Sequence, residues 1–302
     1  GVESDDRNDM KKREVTVALA GIGGYGAGYA GRLLDEGARQ GVRWVAGADP
    51  RPEGCPRLAE IRARGIPLYE ALAELFREHR PELTVIASPI HFHCEQTCLA
   101  LENGSHVLCE KPVAATIQEA LAMERAAAAA GRFVAVGYQW SFSPAVQALK
   151  ADIRAGRLGC PLRLKTLVSW PRTAAYYRRN AWAGALRDDN GRWVLDSPLS
   201  NATAHYLHNM LYVLGETRET SAAPARIEAE LYRANAIGNH DTAFVGCRTA
   251  AGVAIFFHTA HAVPSNIGPV ARYDFENAVV TLTSGAAEGL AARFANGAVK
   301  IY

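Results

Sequence analysis

The sequence predicts an α/β fold in which a doubly wound parallel sheet is followed by an α+β domain with a mostly antiparallel, open sheet. The chain has 302 residues, about twice the ~150 residues typical of one domain. Up to about residue 137, short apolar strand patterns alternate with helical ones. From about residue 225 onward, strand patterns follow one another without helices. The first rhythm is typical of a parallel sheet and the second of an antiparallel one.

The strand patterns of the first half are apolar on both faces, as in a sheet covered by helices on both sides. They are Val15–Ala20, Val42–Ala48, Leu83–Ala87, His106–Leu108 and Phe133–Val136. Helical patterns lie between them at Tyr25–Gln40, Tyr69–His79 and Ile117–Ala130. Repeated strand, helix and strand units with right-handed crossovers build a doubly wound sheet.

The second half begins with helical patterns and ends in strands. Helices are predicted at Pro144–Ala155 and Ser200–Leu214, with a strand at Leu162–Ser169 before the second of them. The later strands are Ile227–Tyr232, Thr242–Thr249, Val253–Thr259, Ala271–Phe275 and Ala278–Thr283. Gly252 indicates a hairpin turn between two of these strands. We therefore predict a disordered or tag-like tail at 1–12, one domain at 13–140 and a second at 141–302.

Composition excludes several classes of protein. The 33 basic and 31 acidic residues give a net charge of +2 without long blocks of one sign, so no nucleic-acid or membrane surface is indicated. Six cysteines are scattered without a repeating spacing, which is typical of reduced thiols in a cytoplasmic protein. No apolar run approaches the ~18 residues of a membrane helix. Only six of the basic residues are lysines, so each lysine position is informative.

A glycine-rich segment follows the first strand and predicts a dinucleotide site. Residues 21–26 read Gly-Ile-Gly-Gly-Tyr-Gly, where the first glycine allows a tight turn, the second a close pyrophosphate and the third close packing of the helix. Asp49 ends the second strand, where a carboxylate accepts hydrogen bonds from a ribose 2′-hydroxyl and favours NAD. Arg51 lies two residues further on and could reach a 2′-phosphate, so NADP stays open as an alternative cofactor. A turn without a ligand is the alternative for each feature taken alone.

Polar residues also follow two later strands of the predicted parallel sheet. The segment 87–93 ends one strand, and Cys109-Glu110-Lys111-Pro112 ends the next. Ligands bind outside the carboxyl ends of such strands, so both segments are expected near the nicotinamide end of a cofactor. Partial desolvation there would lower the pKa of Lys111 and suit it to proton exchange with a substrate hydroxyl. A surface lysine is the alternative.

Several motifs together resemble the Gfo/Idh/MocA oxidoreductases, the family of glucose-fructose oxidoreductase and inositol dehydrogenases. They are GIGGYG, SPIHFH at 88–93, CEKP at 109–112, GYQWSFSP at 137–144 and a later helix with a histidine. The resemblance implies a Rossmann domain, a nicotinamide cofactor and a sugar, cyclitol or related polyol as substrate. It also implies a homo-oligomer, a dimer or tetramer, assembled through the second domain. The chain is short for the family, whose members often continue past the sheet with further helical sequence, so a missing C-terminal tail or gaps within the chain are expected.

The resemblance implies specific site residues. The cofactor would contact Gly21, Ile22, Gly23, Gly24, Tyr25, Gly26, Asp49, Arg51, Ser88, Pro89, His91, His93, Glu110, Lys111 and Gln139. The catalytic residues would be Lys111, His205 and Asn201, with Asn201 at the position usually held by Asp. The i, i+4 spacing predicts Asn201 and His205 on one helix face. Asp196 is a candidate for the missing charge, or it caps a turn. A zinc site at His205 and His208 is not predicted, because no further ligand is placed to complete it.

An aromatic and arginine-rich segment precedes the catalytic helix and predicts a sugar-binding surface. Aromatic faces stack on sugar C–H surfaces, while Arg and Asn donate hydrogen bonds to hydroxyls. The predicted substrate residues are Lys111, Tyr138, Tyr177, Arg179, Trp182, Asn201 and His205. An interface between domains or subunits is the alternative for this segment. Two further functions stay open: glycoside cleavage with internal recycling of NAD, and a catalytically silent protein that binds NAD and senses sugars.

Overall fold

The chain divides into two units, Gly1–Val136 and Gly137–Tyr302. The computed structural model describes residues 13–283 and 289–302, so the predicted tail at 1–12 lies outside the described residues. The division falls a few residues before the predicted boundary at 140. Tyr138 and Gln139 therefore belong to the second unit.

A six-stranded parallel sheet with helices between its strands forms the first unit. The strands are β1 (Val15–Ala20), β2 (Val42–Ala48), β3 (Leu68–Tyr69), β4 (Leu83–Ile86), β5 (His106–Cys109) and β6 (Val134–Val136). The helices are α1 (Gly26–Glu36), α2 (Leu58–Ala63), α3 (Leu72–Glu78), α4 (His93–Glu102) and α5 (Ile117–Ala130). The order β3-β2-β1-β4-β5-β6 confirms the doubly wound sheet. Its switch point lies between β1 and β4, where such sheets bind ligands.

Apolar side chains cover this sheet on both faces. Along β1, Val17 and Leu19 join one buried cluster, whereas Ala18 and Ala20 join another. Successive side chains of a strand point to opposite faces, so both faces of β1 are buried. This arrangement explains why the strands read as continuous apolar runs instead of alternating ones.

Two predicted helices of the first unit have different limits. The helix predicted at Tyr25–Gln40 ends at Glu36, and a separate 3₁₀ turn follows at Ala38–Gln40. The helix predicted at Tyr69–His79 begins only at Leu72, because Tyr69 pairs with Ala48 as part of β3. A strand of two residues carries no periodicity of its own, so its pattern merged with that of the helix.

An eight-stranded sheet forms the second unit. Its strands are β7 (Pro161–Ser169), β8 (Pro224–Tyr232), β9 (Thr242–Thr249), β10 (Ala254–Ala260), β11 (Ile267–Phe275), β12 (Ala278–Thr283), β13 (Leu290–Phe294) and β14 (Val299–Ile301). The order is β14-β13-β12-β11-β7-β10-β9-β8. Among the described strands of this second sheet, only β7 and β10 pair in parallel. The mostly antiparallel sheet and the hairpin at Gly252 are confirmed.

Helices cover one face of the second sheet. They are α6 (Pro144–Arg154) and α8 (Ala204–Val213), and a short helix α7 (Ala174–Tyr177) lies between them in the sequence. Val146 and Leu149 of α6 pack with Tyr206 and Met210 of α8 against inward side chains such as Phe257. The prediction did not include β13 and β14, whose short segments give little alternation.

The helix predicted at Ser200–Leu214 is interrupted at its start. Residues Pro198–Ala202 form a π-helical turn, and Thr203 leaves helical geometry with φ −115° before α8 begins. Local bonds stabilise this turn: the Ser197 hydroxyl accepts from Ser200 N at 3.1 Å, and the Thr203 hydroxyl donates to the Pro198 carbonyl at 2.7 Å. Asn201 therefore lies outside α8, and the predicted shared helix face with His205 is wrong.

All six cysteines have free thiols. Among residues 13–283 and 289–302, no helix is both long and apolar enough to cross a membrane.

Candidate active site

The glycine-rich loop between β1 and α1 is closely packed at its two ends. Gly21 has φ 79°, and a Cβ there would lie 2.8 Å from Ser88 N. A Cβ on Gly26 would lie 1.9 Å from the Gly21 carbonyl oxygen. Around Gly23, by contrast, a Cβ would meet nothing closer than 3.5 Å. Only glycine fits at the turn and at the start of α1, whereas a Cβ on Gly23 would make ordinary van der Waals contacts with Gly54 and Asp49.

Asp49 at the end of β2 holds this loop. One carboxylate oxygen accepts hydrogen bonds from Ile22 N at 2.9 Å and Gly23 N at 3.2 Å. The other accepts from Arg51 N at 2.8 Å. Asp49 thus places a negative charge beside the loop, and the Arg51 side chain is exposed next to it. Gly24 and Tyr25 are exposed at the tip of the same loop.

The segment after β4 carries three of the predicted cofactor residues at half-buried positions, namely Ser88, Pro89 and His91. The Ser88 hydroxyl donates to Gln96 Oε1 at 2.6 Å. The His91 ring packs on Phe92 with centroids 4.4 Å apart. These contacts fix the segment beside Gly21, where a Cβ would clash with Ser88 N.

His93 differs from its predicted role as a cofactor contact. Its side chain is 1% exposed, with Nδ1 2.8 Å from the Pro112 carbonyl oxygen and Nε2 2.9 Å from that of Ser88. Burial lowers the pKa of His93, opposed by the two carbonyls. Because both ring nitrogens face backbone oxygens, His93 connects the segment after β4 with the one after β5 and is not open to a ligand.

Glu110 and Lys111 follow β5 directly. Glu110 is 7% exposed; its Oε1 accepts from the Tyr29 hydroxyl at 2.6 Å and its Oε2 from Lys111 N at 3.1 Å. Burial and then the bond to Glu110 raise the pKa of Tyr29. The Lys111–Pro112 bond is cis, and Lys111 is half-buried. Tyr29 of α1 was not predicted; its i, i+4 aromatic spacing from Tyr25 was the only signal.

In the second unit, Tyr138 lies against two histidines of α8. Its ring stacks on His208 with centroids 3.9 Å apart and meets His205 edge-on at 5.9 Å. Burial, then the charges of His205 and Lys150, lower the pKa of His208 to about 4, so His208 is neutral at pH 7. His208 therefore serves as an aromatic packing partner, while Tyr138 borders His205, which is 9% exposed. Gln139 follows at an exposed position.

Asn201 is hydrogen-bonded to a buried carboxylate. Asp196 is 4% exposed, and its Oδ1 accepts from Asn201 Nδ2 at 2.7 Å. Its Oδ2 accepts from Gly184 N at 2.7 Å. The sequence left Asp196 open as a source of charge or as a cap, and its carboxylate lies directly beside the Asn201 amide.

The aromatic segment is partly exposed and partly internal. The Arg179 guanidinium lies 3.6 Å above the Tyr176 ring and 5.6 Å from that of Trp182. Tyr177, a predicted substrate residue, is 9% exposed, and its hydroxyl lies 3.2 Å from His261 Nδ1. Its place in the interior corrects that prediction, because the short helix α7 turns this side chain inward. Arg179 remains at the surface with Tyr176.

Residues 13–283 and 289–302 contain no cluster of three or more His, Cys, Asp or Glu side chains that could hold a metal ion.

The fold and loop of the first unit define a class of protein. A glycine-rich turn leads into a helix, and an acidic residue ends the next strand at the switch point of a parallel sheet, the arrangement of a dinucleotide-binding domain. Residues 15–138 match the family model GFO_IDH_MocA, described as an oxidoreductase family with an NAD-binding Rossmann fold. Over this unit the chain is therefore similar to the Gfo/Idh/MocA oxidoreductases.

Individual relatives extend the likeness beyond this unit. Inositol 2-dehydrogenase 1 of Saccharopolyspora erythraea is 29% identical over 218 residues, covering 70% of this chain and 61% of the relative. D-glucoside 3-dehydrogenase of Escherichia coli is 29% identical over 177 residues, 59% of this chain and 48% of the relative. The chain thus spans less than two thirds of these proteins.

A solved structure supports the fold of both units. The WlbA dehydrogenase of Bordetella pertussis, crystallised with NADH and UDP-GlcNAcA, superposes with a TM-score of 0.81 at 23% identity. The match covers 94% of this chain and 78% of that one.

Proposed function

We propose that this protein is an NAD-dependent dehydrogenase that transfers a hydride between nicotinamide and a secondary alcohol of a sugar, cyclitol or related polyol. The observation that carries the proposal is the Glu110-Lys111 pair, which directly follows β5 and is fixed by Tyr29 of the phosphate-loop helix. The relatives named above act on inositol and D-glucosides, which supports a polyol substrate.

The residues of the first unit fit a dinucleotide. Gly21 and Gly26 leave no room for a side chain where the loop turns into α1, and the start of such a helix is where a dinucleotide-binding domain receives the pyrophosphate. The charge of Asp49 disfavours a 2′-phosphate, which supports NAD, although exposed Arg51 keeps NADP among the cofactors to be tested. When bound, the nicotinamide accepts or donates the hydride.

We assign the proton chemistry to Lys111, assisted by His205. As a neutral amine, Lys111 accepts the hydroxyl proton of the substrate while the C–H bond at the substrate's carbinol carbon breaks. In the reverse direction Lys111, as an ammonium, returns that proton to the substrate oxygen. His205 supplies a hydrogen bond to the substrate oxygen, and Asn201 orients the imidazole ring of His205. These roles rest on the resemblance of the CEKP segment and of the segment 201–215 to the family.

A panel assay tests the proposed function. Purified protein is incubated with NAD or NADP and with inositols, free sugars, glucosides and sugar acids, and reduction of the cofactor is followed by its absorbance. We expect turnover of at least one polyol, and a lower Kd for NAD than for NADP. Tight binding of NAD without turnover of any polyol would favour a silent sensor, and product release without net reduction would favour recycling.

We also propose that the protein is a homo-oligomer that uses the face of the second sheet opposite α6 and α8. Phe244 and Phe256 stack on this face with centroids 6.2 Å apart, and Phe244 is 36% exposed. Val270 of β11, a strand of the same sheet, is 46% exposed. Apolar side chains grouped on one face are typical of interaction surfaces.

Phe244→Glu tests this surface. A charge there is expected to shift the molar mass, measured by light scattering after gel filtration, toward that of the 32.5 kDa monomer. Ile117→Glu is the control, because Ile117 is 75% exposed on α5 of the first unit. A wild-type monomer, or equal masses for both variants and the wild type, would contradict the proposal.

A further inference from the structure

Two arginines of the aromatic segment lie over one tyrosine ring. The guanidinium carbon of Arg179 is 3.6 Å and that of Arg172 is 4.8 Å from the centre of the Tyr176 ring. The face of an aromatic ring attracts a cation, so Tyr176 holds the two guanidinium groups close together. Arg172 is half-buried and Arg179 is exposed. These three residues, here called the arginine cluster, concentrate two positive charges at one place in the second unit.

The protein around the arginine cluster does not neutralise its charges. Within residues 13–283 and 289–302, neither arginine takes part in an ion pair. Arg172 Nη1 donates to the Pro171 carbonyl at 3.0 Å, and Arg179 Nη1 donates to the Tyr176 carbonyl at 2.8 Å. Arg172 Nε is buried, and no acceptor in the described part of the chain reaches it. Since neutral carbonyls are poor compensation for a guanidinium, both charges stay available to an anion.

His261 shows that positive charge prevails at this place. Its ring meets the Tyr176 ring edge-on, with centroids 6.0 Å apart. Burial, and then the charge of Arg172, lower the pKa of His261 to about 4; Arg179 adds to the effect and Asp241 opposes it. Asp241 is fully buried, and its carboxylate accepts hydrogen bonds from the backbone of the turn that follows β8. His261 is therefore neutral at pH 7, and the two arginines outweigh the buried carboxylate.

The arginine cluster borders the elements of the second unit to which we assign chemistry. The Trp170 ring lies 6.0 Å from one guanidinium of the cluster and meets Tyr206 of α8 edge-on at 6.0 Å. Tyr206 directly follows His205. On another side, Tyr176 lines a small cavity together with Ala202 of the π-helical turn. The cluster is thus placed beside the residues of this unit that are proposed to contact a substrate.

We propose that Arg172 and Arg179 bind an anionic substituent of the substrate, a carboxylate or a phosphate, so that the preferred polyol is a sugar acid or a sugar phosphate and not a neutral sugar. A guanidinium fits either group, because its N–H donors pair with two oxygens at once. Tyr176 holds the guanidinium groups in place before the ligand arrives, which lowers the entropic cost of binding. The inference rests on the proposed function and specifies its substrate class. Arg179 was predicted from the sequence as a substrate residue, whereas Arg172 was not.

Matched sets of sugars test the proposal. Each set contains a hexose, its uronate and its 6-phosphate, and reduction of NAD is followed with the purified protein. We expect kcat/KM to be at least ~10-fold higher for a charged member than for the hexose, mainly through a lower KM, because hydrogen bonds between charged groups are strong. The preference should shrink as salt is added, since salt screens the charges. Preference for the uronate identifies the anion as a carboxylate, and preference for the 6-phosphate identifies it as a phosphate.

Replacement of each arginine gives the second arm. Arg172→Gln and Arg179→Gln are each expected to lower the ratio of kcat/KM between the charged and the neutral sugar by about 10-fold. Arg172→Lys should keep more of this ratio than Arg172→Gln, because it keeps the charge but not the two-oxygen contact. Since Arg179 is exposed, its variant tests the proposal even if substitution of Arg172 impairs folding. Arg178→Gln, at an exposed position in the same segment, is the matched control and should keep the wild-type ratio.

Three outcomes would overturn the inference. They are an equal or higher kcat/KM for the neutral sugar, a wild-type ratio in both glutamine variants, and an equally large fall of the ratio in Arg178→Gln, which would indicate an effect of net charge alone. A wild type that turns over no polyol, charged or neutral, would instead refute the proposed function. Calorimetric titration of the uronate and the 6-phosphate into the wild type and Arg179→Gln would then still decide whether the arginine cluster binds an anion.

Discussion

Replacement of Lys111 by Met is expected to lower kcat/KM for a polyol by about 10³-fold, within the range that a positioned acid/base contributes. Methionine keeps much of the length and the apolar stem of the side chain but cannot exchange a proton. The loss should fall on kcat, while the Kd for NAD should change little from the wild type, because the phosphate loop is unchanged. Steady-state kinetics and isothermal titration with NAD measure the two quantities separately.

Lys165→Met provides the matched control. Lys165 is an exposed lysine of β7 that lies 6.0 Å from the Phe256 ring, so its loss should leave turnover unchanged. Equal activity of Lys111→Met and the wild type would remove Lys111 from the mechanism. Loss of NAD binding together with activity would show instead that Lys111 serves mainly in cofactor binding.

Replacement of Gly26 by Ala is expected to weaken NAD binding by roughly 100-fold or more, since the phosphate-binding geometry at the helix start would be lost. The new Cβ would lie 1.9 Å from the Gly21 carbonyl oxygen, a distance that no packing allows, so the loop must move away from α1. The backbone N–H groups at the start of the helix then no longer converge on a phosphate. NAD titration and far-ultraviolet circular dichroism separate the loss of binding from unfolding.

Two neighbouring glycines make this prediction specific. Gly28→Ala, two residues along α1 with nothing within 4 Å of its Cβ, should bind NAD normally and stabilise the helix by up to about 1 kcal/mol. Gly23→Ala meets only ordinary contacts, so it should fold but bind NAD less tightly where the backbone approaches the pyrophosphate. Normal NAD binding by Gly26→Ala would contradict the loop as the phosphate site.

The sequence was sufficient to predict the features that depend on local chemistry. Glycines after a strand, an acid at the end of the next strand and apolar runs of strand length each follow from backbone geometry and burial. For this reason the parallel sheet and the hairpin at Gly252 were predicted correctly. The loop glycines also lie where a turn and close packing require them.

Features that depend on tertiary contacts could not be predicted from the sequence. His93 and Tyr177 were interpreted as ligand contacts because they lie in polar segments, yet each is buried against groups far along the chain. The π-helical turn at Asn201 depends on bonds from Ser197 and Thr203 that helical periodicity does not reveal. Tyr29 pairs with Glu110 across 81 positions of sequence, a separation that no local pattern encodes.

The position of β7 within the second sheet has a consequence for the order of folding during synthesis. β7 lies between β10 and β11, and its partner residues in β10 follow about 90 positions later. Closing a loop of that size costs entropy before any strand pairing compensates for it. We therefore expect the first unit to fold while the ribosome is still producing the second. The central strand β7 of the second unit can complete its pairing only after almost the whole chain has been synthesised.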